Sequence, residues 1–462
     1  MPSVFRTLLQ PLTLSALLGI AGCSVIWPAL ETPAIDVPAA VALKPPSIDR
    51  QWWKAFGDPV LDRLVDEALA NNLDLAKAAA NIEEAKANAG VARSLLSPRL
   101  DGVAKVGATQ RQLTFAVNEN EINRATASAT VGAAVNWEID LWGRIRQMND
   151  AALARLAASE HTRNATTLSI SSAVVETYVQ LRSYDTKLAI TKDAARDLKY
   201  AANLEYRRWK AEAGTELAYR QSLAEFSSTE ARIPGIESAI AKTELALQIL
   251  VGRSPRQMAE HLARGDALKL PDTPRDFDSA LLLRRPDVAS AEQTLIAAHA
   301  DVNATRAERY PRLNLSLLAG LIASSSKLIT GFPLFWDATA GLSGPLYDAG
   351  LVQSKVEGAE ARKEMAVAQY RYVTSVAFRE TYEAMVLRDA SDKQFLSSEA
   401  EVGTRKKSLT LTKKSYDAGR SSKFEVLSES IKVLNAELAL SDARNNQLVA
   451  RSQYYKALGG GF

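Results

Sequence analysis

The residues from Thr126 to Leu141 read TASATVGAAVNWEIDL, and they alternate between two kinds of side chain. Every second position is apolar or alanine, and most of the positions between them are small or polar. The apolar set is Ala127, Ala129, Val131, Ala133, Val135, Trp137, Ile139 and Leu141. A period of two over so long a stretch predicts a β-strand with one apolar face and one polar face.

Three further stretches alternate in the same way, namely residues 100–113, 313–321 and 336–342, of which the first is the weakest. A sheet packed on an ordinary core also alternates, and for any single strand that explanation is strong. Four such strands among very long helices favour a barrel instead, with its apolar face in lipid and its polar face around a wet lumen.

The rest of the chain predicts long helices. The run from Gly143 to Gly214 contains no proline, and an unbroken helix of that length reaches about 100 Å at about 1.5 Å per residue. Apolar residues recur at alternating steps of four and three: Ala366, Tyr370, Val373, Ala377, Ala384 and Leu387; Phe424, Leu427, Ile431, Leu434 and Leu438; Ile236, Ile240, Leu247 and Leu250. This spacing is typical of helices that pack on other long helices.

The body of the chain indicates two copies of one unit, because the same landmarks occur twice in the same order. In each half, a proline comes before the extended stretches. One glycine precedes the long helix, a second follows it, and a third lies at the end of the half. The pairs are Pro98 and Pro311, Gly143 and Gly350, Gly214 and Gly419, and Gly252 and Gly459. The two strand hairpins are expected at about 99–141 and 312–347.

These landmarks divide the chain into five segments. Residues 1–22 are a predicted signal peptide, and residues 23–57 are an extended, lipid-anchored segment that is rich in proline. The first repeat is 58–252, a linker follows at 253–278, and the second repeat is 279–459. Each repeat is expected to contain a helix, a strand hairpin, a long helix and a further helix.

Composition excludes several functions. The chain has 462 residues, with 56 Lys and Arg against 53 Asp and Glu, so its formal charge is only +3. Such a balance gives no support to a nucleic-acid partner, which needs a concentrated basic face. Its three histidines, His161, His261 and His299, lack metal-ligand spacing, and no glycine-rich phosphate loop is present. No enzyme, metal site or cofactor is therefore expected.

Cys23, the only cysteine, has a specific setting. A basic start and a short apolar run precede Ile20-Ala21-Gly22-Cys23, which is the pattern of a secretory signal. The apolar run is short for a transmembrane anchor. Small residues directly before a cysteine resemble the lipobox of bacterial lipoproteins, which implies diacylglycerol and an acyl chain on Cys23. By the same resemblance, Ser24 favours the outer membrane over the inner membrane.

The number of strands carries a consequence for assembly. Four strands cannot close a membrane barrel, and an open sheet edge in hydrocarbon leaves backbone groups unpaired at several kcal/mol each. If the strands are in lipid, several chains must therefore share one barrel.

Seven motifs together resemble TolC-type outer-membrane factors, most closely the lipoprotein branch that serves efflux systems. They are the lipobox, WWKAFGDPVLDRLVDEALANNLDL (Trp52 to Leu75), SPRL, WEIDLWGRIR, LRRPDVASAEQTLIAAHADVNATRAERYPRL (Leu283 to Leu313), PLYDAG and YDAGRSSKFEVL. The resemblance covers nearly the whole mature chain, and the order of the motifs is more specific than any one of them.

The resemblance implies a mixed α/β membrane protein and a homotrimer. Each subunit contributes four strands to a twelve-stranded outer-membrane β-barrel, which continues into a long periplasmic α-helical barrel. An inner-membrane pump loads the substrate, and a periplasmic adaptor joins the pump to the channel. The expected function is export of drugs or other toxic small molecules. Two alternatives stay open: the exit duct of a type I protein-secretion system, and a lipid-anchored periplasmic coiled-coil scaffold without a pore.

Two helix-to-helix turns match the periplasmic tips that contact the adaptor in this family. The candidate contact residues are Gly214, Thr215 and Leu217 in the first turn, and Gly419, Ser421 and Phe424 in the second. The simpler interpretation is that each glycine only ends a helix.

Glu425 is the candidate gate residue, because it matches an acidic position beyond the second tip. Three copies around a narrow axis form an acidic ring that selects cations. A solvated helix charge explains Glu425 almost equally well. Ser428 stands where some family members have a second acid, so two rings are not supported.

Overall fold

A computed structural model describes residues 27–31, 49–114, 121–254, 257, 262–265, 267–273, 282–324 and 332–461. The predicted signal peptide, Cys23 and His261 lie outside the described residues. The chain forms two compact bodies. The first contains Met1–Ala34, Ile82–Ser159 and Ala291–Tyr370, and the second contains Ile35–Asn81, Glu160–Ser290 and Arg371–Phe462.

Eight α-helices occur in the described part of the chain. They are α1 (Pro59–Asn71), α2 (Leu73–Ser94), α3 (Arg144–Lys210), α4 (Glu216–Glu230), α5 (Ile233–Leu250), α6 (Pro286–Ala307), α7 (Leu351–Asp417) and α8 (Lys423–Ala457). Helices α3 and α7 have 67 residues each. The prediction of long, unbroken helices is confirmed for these two.

Four strands form one antiparallel sheet in the first body. They are β1 (Arg99–Thr114), β2 (Glu121–Ile139), β3 (Arg312–Ser324) and β4 (Leu334–Ser343), and each pairs with the next in chain order. The central pairing joins β2 to β3 through residues far apart in the chain, such as Val131 and Leu321, whose numbers differ by 190. The prediction of four strands is confirmed.

Strand β2 ends two residues earlier than the alternation suggests. Leu141 donates its N–H to the carbonyl of Ile139 at 2.9 Å, so the chain already turns there. The Asp140 carboxylate accepts hydrogen bonds from the N–H groups of Ile145 and Arg146, at 3.2 and 2.9 Å. Asp140 therefore caps the beginning of α3, where the first N–H groups of a helix lack internal partners.

Asp348 caps α7 in the same way. Its carboxylate accepts hydrogen bonds from the N–H groups of Gly350 and Val352, at 3.0 and 2.9 Å. These backbone bonds, that from Val352 above all, lower the pKa of Asp348 below its usual value. The acid-then-glycine motifs WEIDLWG and PLYDAG thus each supply the cap of a 67-residue helix.

Two predicted elements differ from the structure. The segment 23–57 is not extended to its end, because Trp52–Phe56 form a 3-10 helix whose aromatic side chains are buried. The single helix predicted after the first turn is two helices, α4 and α5. Pro234 lies in the first turn of α5 and has no N–H to donate, so it cannot continue α4.

The second body has an apolar core to which both halves of the sequence contribute. Trp52, Phe56, Leu61, Tyr178 and Leu247 are among its buried members. The Trp52 ring stacks on the Tyr455 ring from α8, with centroids 5.3 Å apart. Most of the predicted helix-packing positions are buried or half-buried, with Leu387 and Phe424 as exposed exceptions.

Gly265 of the linker between the halves is packed closely against this body. The Tyr178 hydroxyl donates to the Asp58 carboxylate at 2.7 Å and accepts from the Gly265 N–H at 3.0 Å. Burial, and then the bond to Asp58, raises the pKa of Tyr178 to about 12. A Cβ on Gly265 would lie only 1.9 Å from an Asp58 oxygen, so the close approach requires glycine.

Candidate functional site

The strand register places the apolar positions of all four strands on one face of the sheet. Leu317 of β3, for example, pairs with Val135 of β2 and Ala338 of β4. Large exposed members of this face are Leu100, Val106, Val131, Leu317, Leu321, Leu334, Trp336 and Leu342. The opposite face contains Asp101, Lys105, Ser128, Thr130, Asn136, Asn314, Ser316, Asp337 and Thr339.

The exposed apolar face and the two unpaired sheet edges both indicate what surrounds the sheet. Nothing in the described part of the chain pairs with the outer edges of β1 and β4. Among the described residues, no helix combines the length and hydropathy that crossing a membrane requires. An apolar sheet face of this size in a folded chain indicates contact with lipid or with another molecule.

Aromatic residues collect at the ends of β2 and β3 in the first body. The Trp142 ring stacks on Tyr310 at 4.9 Å, and its Nε1 donates to the Pro311 carbonyl at 2.7 Å. The Trp27 Nε1 donates to the Trp142 carbonyl at 2.9 Å. Tryptophan and tyrosine with satisfied polar atoms are typical of the level where a membrane protein passes from hydrocarbon to water.

The two predicted tips are turns with the same backbone closure. In the first, Glu212 N–H donates to the Trp209 carbonyl at 3.0 Å, and Ala213 N–H donates to the Arg208 carbonyl at 2.8 Å. In the second, the corresponding donors are Gly419 and Arg420. The residue that turns left-handed is Glu212 in one and Gly419 in the other, with φ of 59° and 71°. Both turns thus have the hydrogen-bond pattern and the left-handed residue that end many helices.

The predicted pairing of Gly214 with Gly419 is therefore wrong by two residues. Glu212 takes the conformation that usually requires glycine, while Gly214 does not have a positive φ. Gly214 instead allows close packing, because a Cβ there would lie 3.1 Å from the Cβ of Arg208. Sequence reasoning missed this because it assigned the left-handed position to the nearest glycine.

A hydroxyl caps the helix that follows each turn. Thr215 accepts a hydrogen bond from the Ala218 N–H, and Ser422 accepts one from the Glu425 N–H, both at 3.2 Å. Each cap comes three residues after the left-handed residue, so the two turns have equal length. Two residues after the caps, Leu217 and Phe424 occupy equivalent positions, and both side chains are exposed.

The first turn contains an aromatic cluster that joins α3 to α4. Trp209 stacks on Tyr219 with centroids 5.6 Å apart, and Tyr206 lies 5.2 Å from Tyr219. Two cations lie over these rings, Lys210 at 4.2 Å from the Trp209 centroid and Arg220 at 5.5 Å from that of Tyr219. Such contacts add to the burial of the rings in stabilising the turn.

The second turn has two separate aromatic side chains, Tyr416 and Phe424, in place of a stacked cluster. The Ser421 hydroxyl donates to the Thr412 carbonyl at 3.2 Å, and the Lys423 ammonium lies 5.2 Å from the Tyr416 ring. Three lysines that precede this turn on α7, Lys407, Lys413 and Lys414, are exposed to solvent.

A polar link ties the two turns to each other. The Arg208 guanidinium donates to the Tyr416 hydroxyl at 2.8 Å and to the Glu205 carboxylate at 3.3 Å. Glu205 is almost completely buried. The Glu205 charge, together with Tyr416, raises the pKa of Arg208 above its usual value. Sequence reasoning did not find these residues, because the contact joins positions 208 residues apart.

Glu425 lies in the first turn of α8 and is exposed. It stands three residues after Ser422, which is the spacing of a capping box, and the helix N-terminus favours its negative charge. The position that is equivalent in the first turn is Ala218. An acid at the third position after the cap therefore distinguishes the second turn from the first, whose acids are Glu212 and Glu216.

Comparisons with known proteins agree with these features. The profile of the outer membrane efflux protein family matches residues 64–253 and 279–460. The pyoverdine export outer membrane protein OpmQ of Pseudomonas aeruginosa is 30% identical over 422 residues, which is 89% of this chain and 88% of that protein. The probable outer membrane lipoprotein SilC of Salmonella typhimurium is 26% identical over 98% of this chain and 99% of its own length.

A solved structure shares the fold over nearly the whole chain. The CmeC outer membrane channel of Campylobacter jejuni superposes with a TM-score of 0.86 and 26% sequence identity. The match covers 95% of both chains.

Proposed function

This chain belongs to the outer membrane efflux protein family and is the outer-membrane channel component of a tripartite efflux system, and we propose that it works as a homotrimer whose strands close one barrel. The observation that carries the proposal is the sheet itself, which has four strands, one apolar face and two open edges. The family is one of transport components, which agrees with the expectation that the chain is not an enzyme.

Closure by identical copies follows from the direction of the strands. Since each of the four strands is antiparallel to the next, β1 and β4 run in opposite directions. The β4 edge of one copy can therefore pair with the β1 edge of the next and continue the antiparallel alternation. Three copies of a four-stranded sheet make twelve strands, an even number within the range of outer-membrane barrels.

The helices support the same assembly. Tyr372 and Val386 lie fourteen residues apart on α7, as do Tyr382 and Leu396, and all four side chains are exposed. A spacing of two heptads places each pair on one stripe of the helix. Exposed apolar stripes of this kind suit helix packing against a neighbouring subunit in a periplasmic helical barrel.

The two turns are the proposed contact with the periplasmic adaptor, which joins the channel to an inner-membrane pump. Exposed Leu217 and Phe424 supply apolar anchors, and the turn residues Gly214, Thr215, Gly419 and Ser421 shape the surface around them. Glu425 is the proposed gate residue, with three copies forming an acidic ring.

Cys23 is the proposed lipid attachment site, with diacylglycerol and an acyl chain in the outer membrane. Four residues after Cys23, the Trp27 Nε1 binds the Trp142 carbonyl at the end of β2, which places this part of the chain beside the strand ends. Cys23→Ala should abolish incorporation of radioactive palmitate, and continued labelling would exclude this site.

Cysteine cross-linking across the proposed β4–β1 contact tests the trimer. We expect Lys105→Cys, combined in turn with Phe335→Cys, Asp337→Cys and Thr339→Cys, to yield a covalent trimer in at least one combination. These four positions share the polar face, so the side chains can meet. The matched control is Lys105→Cys with Ala338→Cys, which lie on opposite faces and should not cross-link. Monomers in every combination would contradict the shared barrel.

The relatives decide between the functions that the sequence leaves open. OpmQ is named for export of pyoverdine, and CmeC is an outer membrane channel. They support efflux over protein secretion, and a channel over a scaffold without a pore.

A further inference from the structure

A cleft in the second body has a composition that conduction does not explain. It has a volume of about 530 Å³ and lies between α3, α7, α8 and the linker residues Ala267 and Leu268. Its walls are mostly apolar, formed by Val179, Ile190, Phe395, Val402, Leu440 and Leu448. Apolar clefts of this size with a few polar groups are typical of small-molecule sites.

Two guanidinium groups lie at one end of this cleft. Arg444 donates to the Gln447 side chain at 2.8 Å and to the Leu268 carbonyl at 3.1 Å, and its charge lies 5.6 Å from the Phe395 ring centre. Arg182 donates to the Gly265 carbonyl. Both groups thus use uncharged acceptors and keep further N–H donors available.

Neither guanidinium has a carboxylate within ion-pair distance among the described residues. Burial, and then the nearby charge of Arg451, lowers the pKa of Arg444. That direction indicates a cation that has lost water and that has gained no counter-ion from the described residues. An anion that enters the cleft would therefore be favoured by both groups.

The other end of the cleft is electrically neutral. There Lys406 forms an ion pair with Glu437 at 2.7 Å. Glu437 precedes Arg444 by seven residues on α8, which places the two ends about 10 Å apart at about 1.5 Å per residue. The cleft thus has two arginines at one end, apolar side chains in the middle and a neutral ion pair at the other end.

We infer that this cleft binds a single-chain amphipathic carboxylate of the fatty-acid class, with its head group at Arg182 and Arg444 and its chain along the apolar wall. The head group supplies the counter-charge that the described residues do not give the two arginines, and the chain covers the apolar side chains. The site would tie the linker to α3 and α8, because both arginines also bind linker carbonyls.

Equilibrium dialysis with radiolabelled decanoate tests this site. The full chain is placed in lipid nanodiscs, and empty nanodiscs give the background of partition into lipid. We expect saturable binding of one decanoate per chain, and binding about tenfold weaker for Arg444→Gln and for Arg182→Gln. Unlabelled methyl decanoate, which has no charge, should fail to compete.

Two further variants separate a site from a folding defect. Ala267→Trp fills the cleft from an exposed linker position and should abolish binding while leaving the helical circular dichroism unchanged. Arg196→Gln removes an exposed arginine of α3 outside the cleft and should bind decanoate as the wild type does. Binding equal to the empty discs, full competition by the ester, or normal binding by Ala267→Trp would each overturn the inference.

Discussion

The turn between α3 and α4 and the turn between α7 and α8 have the same backbone closure and different side chains. Both close with the same pair of hydrogen bonds and are followed by a hydroxyl cap three residues later. The first is built from stacked aromatic rings and places a glutamate in the left-handed conformation. The second uses glycine there and carries Glu425 in place of an alanine.

This difference separates what makes a turn from what makes it functional. Backbone hydrogen bonds and caps are enough to reverse the chain, and they do not depend on glycine. The side chains differ between the turns: the aromatic cluster stabilises the first turn, while the second has Glu425 where the first has Ala218. The link from Arg208 to Tyr416 couples the two. Four changes test this division, in order of their expected effect on local stability.

Arg208→Ala should have the largest effect, because it breaks the link between the turns and leaves buried Glu205 without its cation. We expect the free energy of local opening to fall by about 2–3 kcal/mol, the cost typical of an unsatisfied buried charged group. Hydrogen exchange of the amides in both turns measures this. Tyr416→Phe, which removes only the hydroxyl, should cost about 1 kcal/mol. Faster exchange in the first turn alone would show that the turns are independent.

Substitution of the two left-handed residues, Gly419 and Glu212, should change the stability of their turns in opposite directions. Gly419→Ala should destabilise the second turn by about 1–2 kcal/mol, since an L side chain is strained at its φ of 71°. Glu212→Gly removes that strain from the first turn and should stabilise it, by less than about 1 kcal/mol. Local hydrogen exchange again gives both values. A loss of stability in Glu212→Gly would mean that its side chain has an unrecognised role.

Removal of the two caps should have equal effects. Thr215→Ala and Ser422→Ala each delete one hydroxyl that accepts from the helix, and each should cost about 1 kcal/mol in its own turn. Thr215→Ser and Ser422→Thr keep the hydroxyl and serve as controls. If only one of the two alanine variants lowers the stability of its turn, the two turns are less alike than their backbones indicate.

Glu425→Gln should change stability least and function most. The loss of one charge at a helix N-terminus costs about 0.3–1 kcal/mol, but three copies lose an entire ring of charge. We expect altered cation conductance in planar bilayers and weaker block by divalent cations. Glu216→Gln, an acid in the first turn of α4, is the matched control and should leave conductance unchanged. Equal behaviour of the two variants would refute the acidic gate.

The sequence alone determined the parts that depend on local periodicity. Alternation from Thr126 to Ile139 identified β2 and its two faces, and the absence of proline identified α3. Resemblance to a known family supplied the function, which the relatives support. Periodicity did not determine the boundary of β2, because Leu141 continues the alternation although Asp140 already caps the helix.

Only the tertiary structure decided which distant residues meet. The pairing of β2 with β3 places the apolar positions of both hairpins on the same face of the sheet, and no local sequence pattern specifies that pairing. No sequence pattern predicted the left-handed conformation of Glu212 or the hydrogen bond from Arg208 to Tyr416. The same holds for the two arginines of the cleft. The physical reason is that periodicity records which face of an element is buried, whereas contacts between elements depend on packing across hundreds of residues.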